Sequence, residues 1–242
     1  MSEWWTYRLY DFLLFTPRTY YRLFELYNAA IWPAQIAAVA LGLYVVWLTT
    51  KAPLTPALSP RGGRGGEEGT RAMLVLSAVW LWVGVAFLAL RYATINFAAK
   101  YAAWAFVAEA ALLAWAGWRG RFDPPAGLAR RVGIGLVVFA VLLEPLSAPL
   151  LGRPLRQLEL FGLTPDPTAV ATLGALLALR PRGRWLLMIV PVLWCVLTGL
   201  TLLAMSAKDW WIAPAAGAAA IAFSVSSRAK RGIPFDDEVA SR

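Results

Sequence analysis

The sequence predicts an all-α fold, a polytopic transmembrane helical bundle of about seven spans, and three observations carry that reading. Of the 242 residues, 60% are hydrophobic and 15% charged, and the mean hydropathy is +0.58; soluble domains hold about 45–50% apolar and about 25% charged residues. The apolar residues gather into runs close to the roughly 20 that a helix needs to cross a hydrocarbon core. The basic residues, finally, are unequally shared between the two sets of connecting segments, as they are when lysines and arginines are retained on the cytoplasmic side.

Taken in order, residues 1–27 form an outer interfacial segment. Its start, MSEWWTYRLYD, has acids and aromatics where a cleavable signal would place a basic region followed by an apolar one. Residues 16–27 read as an amphipathic helix with Thr16 as N-cap and Pro17 at the first helical position. Arg18, Arg22 and Glu25 lie on one face, and Tyr20, Leu23, Phe24 and Tyr27 on the other. Such a helix either lies at the interface and leads into the first span or acts as a lid over an outward cavity.

The transmembrane domain then covers 28–227, with clear spans at 28–50, 72–91, 95–118, 130–151 and 185–206. Between the first two, residues 51–71 are rich in Pro, Gly and charge and read as a flexible inner loop. Its core, PLTPALSPRGGRGGE, looks like translated interspersed genomic repeat, which suggests an insertion in a tolerant loop; the alternative is an anionic-lipid or partner contact through Arg61, Arg64 and Arg71, which Glu67 and Glu68 weaken. The span at 159–180 is short or broken. Its part from Pro167 to Arg180 has about 14 apolar residues, near 21 Å of helix. The preceding Leu158–Leu163 stretch is interrupted by Gly162 and Pro165, and Asp166 is a candidate N-cap. A re-entrant or broken helix, and a short helix with an interfacial lead-in, are both open. The last span, 210–227, is followed by a cytoplasmic tail at 228–242.

With the N-terminus outside and the C-terminus inside, fifteen basic residues fall on the inner side and seven on the outer, with Lys100 inside a span. A missed span would invert every later loop, so the bias supports an odd number of crossings. The net charge of +9 is therefore a topology signal, spread over several short segments, and no nucleic-acid-binding face is expected. Trp4, Trp5, Trp32, Trp118, Trp185, Trp210 and Trp211 sit at span ends as an aromatic belt. Pro33, Pro191 and Pro214 are expected to kink their spans, and the small residues Ala213, Ala216, Gly217 and Ala220 to allow close helix packing.

Much chemistry is excluded. The chain has no histidine and one cysteine, Cys195, so it offers no Ser-His or Cys-His nucleophile pair, no His-ligated metal and no internal disulfide. No phosphate-binding glycine loop, zinc-hydrolase helix or nucleophile elbow is present. No enzyme, cofactor or metal site is expected. A mechanism relying on Glu109 and Glu144 alone is the one catalytic alternative.

Charged groups inside spans are costly and mark function by default. They are Lys100, Glu109 and Glu144. Lys100 and Glu144 lie at similar depth and could pair, whereas Lys100 and Glu109, nine residues apart, face opposite sides of one helix. Glu109 then needs another partner or stays protonated. An outward-facing polar pocket lined by Gln35, Asn96, Lys100, Glu144 and the segment near Asp166 is the sharpest site hypothesis. A structural Lys100 to Glu144 bridge is the plainer one. Pro145 leaves the carbonyl of residue 141 without its helical partner.

At MSEWWTYRLYDFLLFTPRTYYRLFELYNAAIWPAQ and at ELFGLTPDPTAVATLGALLAL the chain resembles an uncharacterised bacterial family of multi-pass inner-membrane proteins, a domain of unknown function sometimes labelled permease. That resemblance implies a helical protein of the bacterial inner membrane and carries over no site residue. Intramembrane charges and kinked spans favour a small-solute or ion transporter. The alternative is an accessory or assembly subunit of a larger membrane complex, with membrane-protein partners or copies of itself.

Overall fold

A computed structural model of the chain describes residues 9–52, 64–124 and 127–229. Among them the regular elements are helical, and one isolated bridge joins Phe122 to Pro181. The N-terminal helix α1, Pro17–Ala30, starts where its sequence places it: the Thr16 hydroxyl accepts the Thr19 amide at 3.2 Å. Its buried face is Tyr20, Leu23, Phe24 and Tyr27, the apolar face read from the sequence.

Helix α2, Ala34–Lys51, follows after a turn at Trp32-Pro33. Pro33 thus precedes the first long apolar helix and does not kink it, and residues 28–30 belong to α1. Helix α3, Arg64–Trp82, continues through a π-helical turn, Val83–Ala89. The expected loop 51–71 is therefore helical from Arg64 onward, and its residues 53–63 lie outside the described residues. A short turn at Tyr92–Thr94 leads to α4, Ala99–Arg119, closed by Gly120 at a left-handed φ of 58°. Helix α5, Leu128–Val138, runs through a π turn at Phe139–Leu143 and a 3-10 turn at Glu144–Leu146 into α6, Ser147–Leu150. The irregularity falls at Pro145, whose nitrogen donates no hydrogen bond.

Helix α7, Pro165–Leu179, is one unbroken helix of 15 residues, and every one of them is buried. This corrects the broken-helix expectation. Helices α2, α3 and α5 pack against it together with α9, Ile189–Ala204, and α10, Ile212–Ala229. A helix apolar all round belongs in the middle of such a bundle. Because protein surrounds it on every side, its roughly 22 Å length need not match a lipid layer. Its lead-in is no interfacial segment either: Phe161, Gly162, Leu163 and Thr164 are buried, and Thr168 accepts the Gly162 amide at 2.9 Å. Thr168 and Thr172 in turn donate to the carbonyls four residues back, and Trp80 Nε1 donates to the Thr172 hydroxyl at 2.8 Å. The threonines supply partners to groups that burial cuts off from water.

Around this core, four helical stretches among the described residues are long and apolar enough to cross a membrane: Ala34–Lys51, Gly66–Thr94, Leu128–Leu150 and Arg184–Ala204. The last combines α8, Arg184–Leu187, with α9. The step between them is at Met188 and matches Pro191, which cannot donate to the carbonyl four residues earlier. Pro214 lies in the first turn of α10, where the expected kink is absent. It packs instead against Gly199, where a Cβ would fall 2.2 Å from the proline ring. Ala213, Ala216 and Ala220 are buried, and a Cβ at Gly217 would meet Cys195 of α9 at 3.4 Å. The outer faces of the bundle expose large apolar side chains, among them Ile36, Trp104 and Leu193. Trp32, Trp118, Trp185, Trp210 and Trp211 are exposed near helix ends; Trp4 and Trp5 lie outside the described residues.

At one end of the bundle two arginines are buried as helix caps. Arg130 Nη2 donates to the carbonyls of Thr49, Thr50 and Ala52 at the end of α2, and Arg184 Nη2 donates to the Ser224 carbonyl in the last turns of α10 at 2.8 Å. At the end of α2 the last carbonyls lack backbone partners, and at both helices the cation meets the negative end of the helix dipole. The opposite end holds α1, the lead-in to α7 and the cavity described next.

Candidate functional site

The cavity lies where α1 covers the start of α7. Asp166 is the second residue of α7, behind Thr164 at the N-cap position, so its expected role as N-cap is not the observed one. Its carboxylate is turned toward α9, where Oδ1 accepts Trp194 Nε1 at 2.7 Å and the Thr198 hydroxyl at 2.8 Å. Trp194 and Thr198 are four residues apart and so share one face of α9. Opposite them stand four aromatic rings in a closed circuit: Tyr20 to Phe24 at 5.1 Å, Phe24 to Phe87 at 5.3 Å, Phe87 to Tyr92 at 6.1 Å and Tyr92 to Tyr20 at 6.1 Å. Between the rings and Asp166 is a partly open cavity of about 90 Å³, with Asn96 also at its wall. One water needs about 10–15 Å³ on the same measure, so the space takes a few waters or one small molecule.

Each wall element has a local reason to be there. The π turn at Val83–Ala89 carries Phe87, and the turn after it carries Tyr92. Asn96 Oδ1 accepts the Ala98 amide at 3.0 Å and so helps begin α4. Tyr20 and Phe24 are on the buried face of α1. Burial, then the charges of Glu159 and Asp166, hold the Tyr20 phenol well above its ordinary value, so its hydroxyl keeps its proton.

Beside the cavity Arg153 serves two carboxylates. Its Nη2 lies 2.8 Å from Asp209 Oδ2 and its Nη1 3.5 Å from Glu159 Oε1, while the guanidinium stacks over Tyr21 at 4.8 Å. One cation facing two acids leaves one of them short of charge compensation. Burial, with the Asp166 charge adding to it, pushes Glu159 up to about 8 against the pull of Arg153. The 2.8 Å contact identifies Asp209 as the ion-pair partner, and Glu159 as the proton holder at neutral pH.

Of the six residues singled out from the sequence, Asp166 and Asn96 meet at this cavity. The other four do not. Gln35 Nε2 donates to the Asn28 carbonyl at 2.7 Å and ties α2 to the end of α1. Asn28 in turn donates to the carbonyls of Arg156 and Leu158, which fixes α1 over the lead-in to α7. Glu144 is buried in the 3-10 turn after α5, its Oε2 without a hydrogen-bond partner. Lys100 is exposed on α4. The expected Lys100 to Glu144 bridge is not formed, because α4 turns Lys100 outward while α5 turns Glu144 inward. Glu109 is fully buried on α4 and neither of its oxygens has a hydrogen-bond partner, in keeping with its predicted separation from Lys100. Among the described residues no group of three or more His, Cys, Asp or Glu side chains could hold a metal ion.

Sequence reasoning missed Arg153 and Asp209, which count as loop charges when spans are tallied, and Glu159, the first residue of the span read at 159–180, and it missed Trp194 and Thr198. Their four-residue spacing in an otherwise aliphatic span was the available signal. The aromatic circuit had no local signal, since its rings come from two separate stretches, residues 20–24 and 87–92.

No match was found among curated proteins or among solved structures. A family model matches residues 18–233, a range that holds all the cavity and ion-pair residues just described, and the chain therefore belongs to DUF6064, a family of unknown function.

Proposed function

We propose that this chain is a small-solute or ion transporter of the bacterial inner membrane, and that its binding site is the cavity between Asp166 and the aromatic circuit. In this reading α2, α3, α4, α5 with α6, α7, α8 with α9, and α10 make seven crossings, with the N-terminus and the cavity outside and the two buried arginine caps inside. The observation that carries it is the placement of Asp166: a carboxylate at the start of the central helix, held by two donors from α9 and open to a cavity in an otherwise apolar bundle. Ionisable groups at such depth are expensive and are kept where they contact solutes or protons. Support also comes from the π and 3-10 turns that interrupt α3 and α5 at Phe87 and Glu144, since irregular helices near a cavity are where transporters build sites. The chain acts by binding and passage, with no chemical conversion.

The test is uptake into proteoliposomes, using labelled amino acids, monocarboxylates, alkylamines and alkali cations as probes. Uptake of one class by the unaltered protein, lost in Asp166→Asn while gel-filtration behaviour is kept, is the expected result. Absence of uptake for every class, together with stoichiometric co-purification of another membrane protein, would replace this reading with that of an accessory subunit.

A further inference from the structure

The cavity's lining says what kind of solute it takes, and we infer that it is a small alkylammonium cation. This deepens the transporter reading and rests on it for passage, but not for binding. Five aromatic side chains, Tyr20, Phe24, Phe87, Tyr92 and Trp194, meet one carboxylate, Asp166, around the space. The faces of aromatic rings are negative and attract a cation within about 6 Å of their centres, most of all where water is excluded. A carboxylate opposite such rings completes a site for a positive charge carrying apolar groups. Among the described residues lining the cavity none is basic, so nothing there would hold an anion.

The surroundings point the same way. Asp209 is paired with Arg153, and Glu144 and Glu159 are acidic groups behind Asp166 that feel its charge. Arg153 is committed to Asp209 and so leaves Asp166 without a basic partner of its own, and Glu144 Oε2 is buried without a hydrogen-bond partner. The polar groups of the wall are sparse: Trp194 and Thr198 donate to Asp166, Asn96 accepts a backbone amide, Thr201 donates to the Leu197 carbonyl, and the hydroxyls of Tyr20 and Tyr92 complete the set. A sugar or amino acid, which needs several free donors and acceptors, is a poor fit, whereas an alkylammonium ion needs one counter-charge and apolar walls. The size of the space restricts the choice to small members of that class.

The experiment is equilibrium binding to the full chain in lipid nanodiscs of phosphatidylethanolamine and phosphatidylglycerol. The probes are labelled tetramethylammonium and methylammonium, with tert-butanol as an uncharged probe of similar shape and acetate as an anion. Both cations are expected to bind and to compete with each other, and the two controls to do neither. Asp166→Asn and Phe87→Leu should each weaken tetramethylammonium binding roughly tenfold or more. The comparison of probes on the unaltered protein needs no variant, so a folding failure of Asp166→Asn leaves the test intact. Equal competition by tert-butanol, preference for acetate, or cation binding indifferent to Phe87→Leu overturns the inference. Cation binding without uptake overturns the transporter reading and keeps the cage. Asp166-dependent uptake of an uncharged solute, with no cation binding, does the reverse.

Discussion

Gly133 and Gly174 bring the backbones of α5 and α7 into direct contact: a Cβ added at Gly174 would lie 2.6 Å from the Gly133 carbonyl oxygen, and one added at Gly133 would lie 2.7 Å from the Gly174 carbonyl oxygen. Neither glycine has a positive φ; what each supplies is the absence of a side chain. The contact sets how closely the central helix is wrapped, and through it where Asp166 sits relative to α9. Alanine at either position must push two backbones apart, which no rotamer change relieves. Gly174→Ala is expected to cost about 1–3 kcal/mol of stability and Gly174→Val to abolish recovery of folded protein. Thermal unfolding in detergent, followed by gel filtration, reads both; wild-type stability in Gly174→Val would disprove the crossing.

The bond from Trp80 Nε1 to the Thr172 hydroxyl joins the largest fully buried side chain of α3 to the threonine ladder of α7. Thr172→Val keeps the shape and leaves the indole N–H without its acceptor. Such bonds between helices in a membrane are worth about 1 kcal/mol, so the variant should be destabilised by about that much, and Thr172→Ser by much less. Equal losses in the two variants would assign the effect to packing.

Arg153 ties together the end of the bundle that holds the cavity by pairing with Asp209. Removing one partner of a buried pair leaves the other charge uncompensated, at a cost of about 3–5 kcal/mol. Arg153→Met should therefore be strongly destabilising, and Arg153→Met combined with Asp209→Asn markedly less so. A double variant as unstable as the single one would show that Arg153 acts through its stacking on Tyr21.

Glu159 makes stability depend on pH. Its value in the folded protein, about 8, lies above the ordinary 4.5, so between those limits the folded chain binds more protons than the unfolded one. The associated stability is complete below about 4.5 and is lost as pH rises through about 8. Melting temperature in detergent should fall between about pH 5 and about pH 9, and Glu159→Gln should flatten that slope. Burial and Asp166 raise the value and Arg153 lowers it, so Arg153→Met should move the slope to higher pH. An identical slope in Glu159→Gln would place the titration on another group.

What was legible in the sequence is what depends on local pattern. Hydropathy runs located the helices, and the Thr16-Pro17 start and the four-residue apolar spacing placed α1 to within a residue of its start. The small-residue spacing in α10 foretold its contact with α9. Boundaries failed where a polar segment was nonetheless helical, as at Arg64–Arg71, because the helix there continues an apolar one and needs no apolar face of its own. Basic residues tallied as loop charges proved in two cases, Arg130 and Arg184, to be buried helix caps. Charge counting sees the side of the bundle on which a charge lies and not the carbonyl it meets.

The sequence alone thus determined the helical class of the protein, and of the six polar residues it singled out two, Asp166 and Asn96, line the cavity. Tertiary structure decided that the 15-residue helix α7 is the central one, that Lys100 faces outward and Glu144 inward, and that four rings from two separated stretches close opposite Asp166. The physical reason is the same in each case. Hydropathy records how much apolar surface a segment carries, and in a bundle nearly every helix carries enough; which neighbour covers that surface is set by shape, by glycine crossings such as Gly133 with Gly174, and by where buried polar groups find their partners.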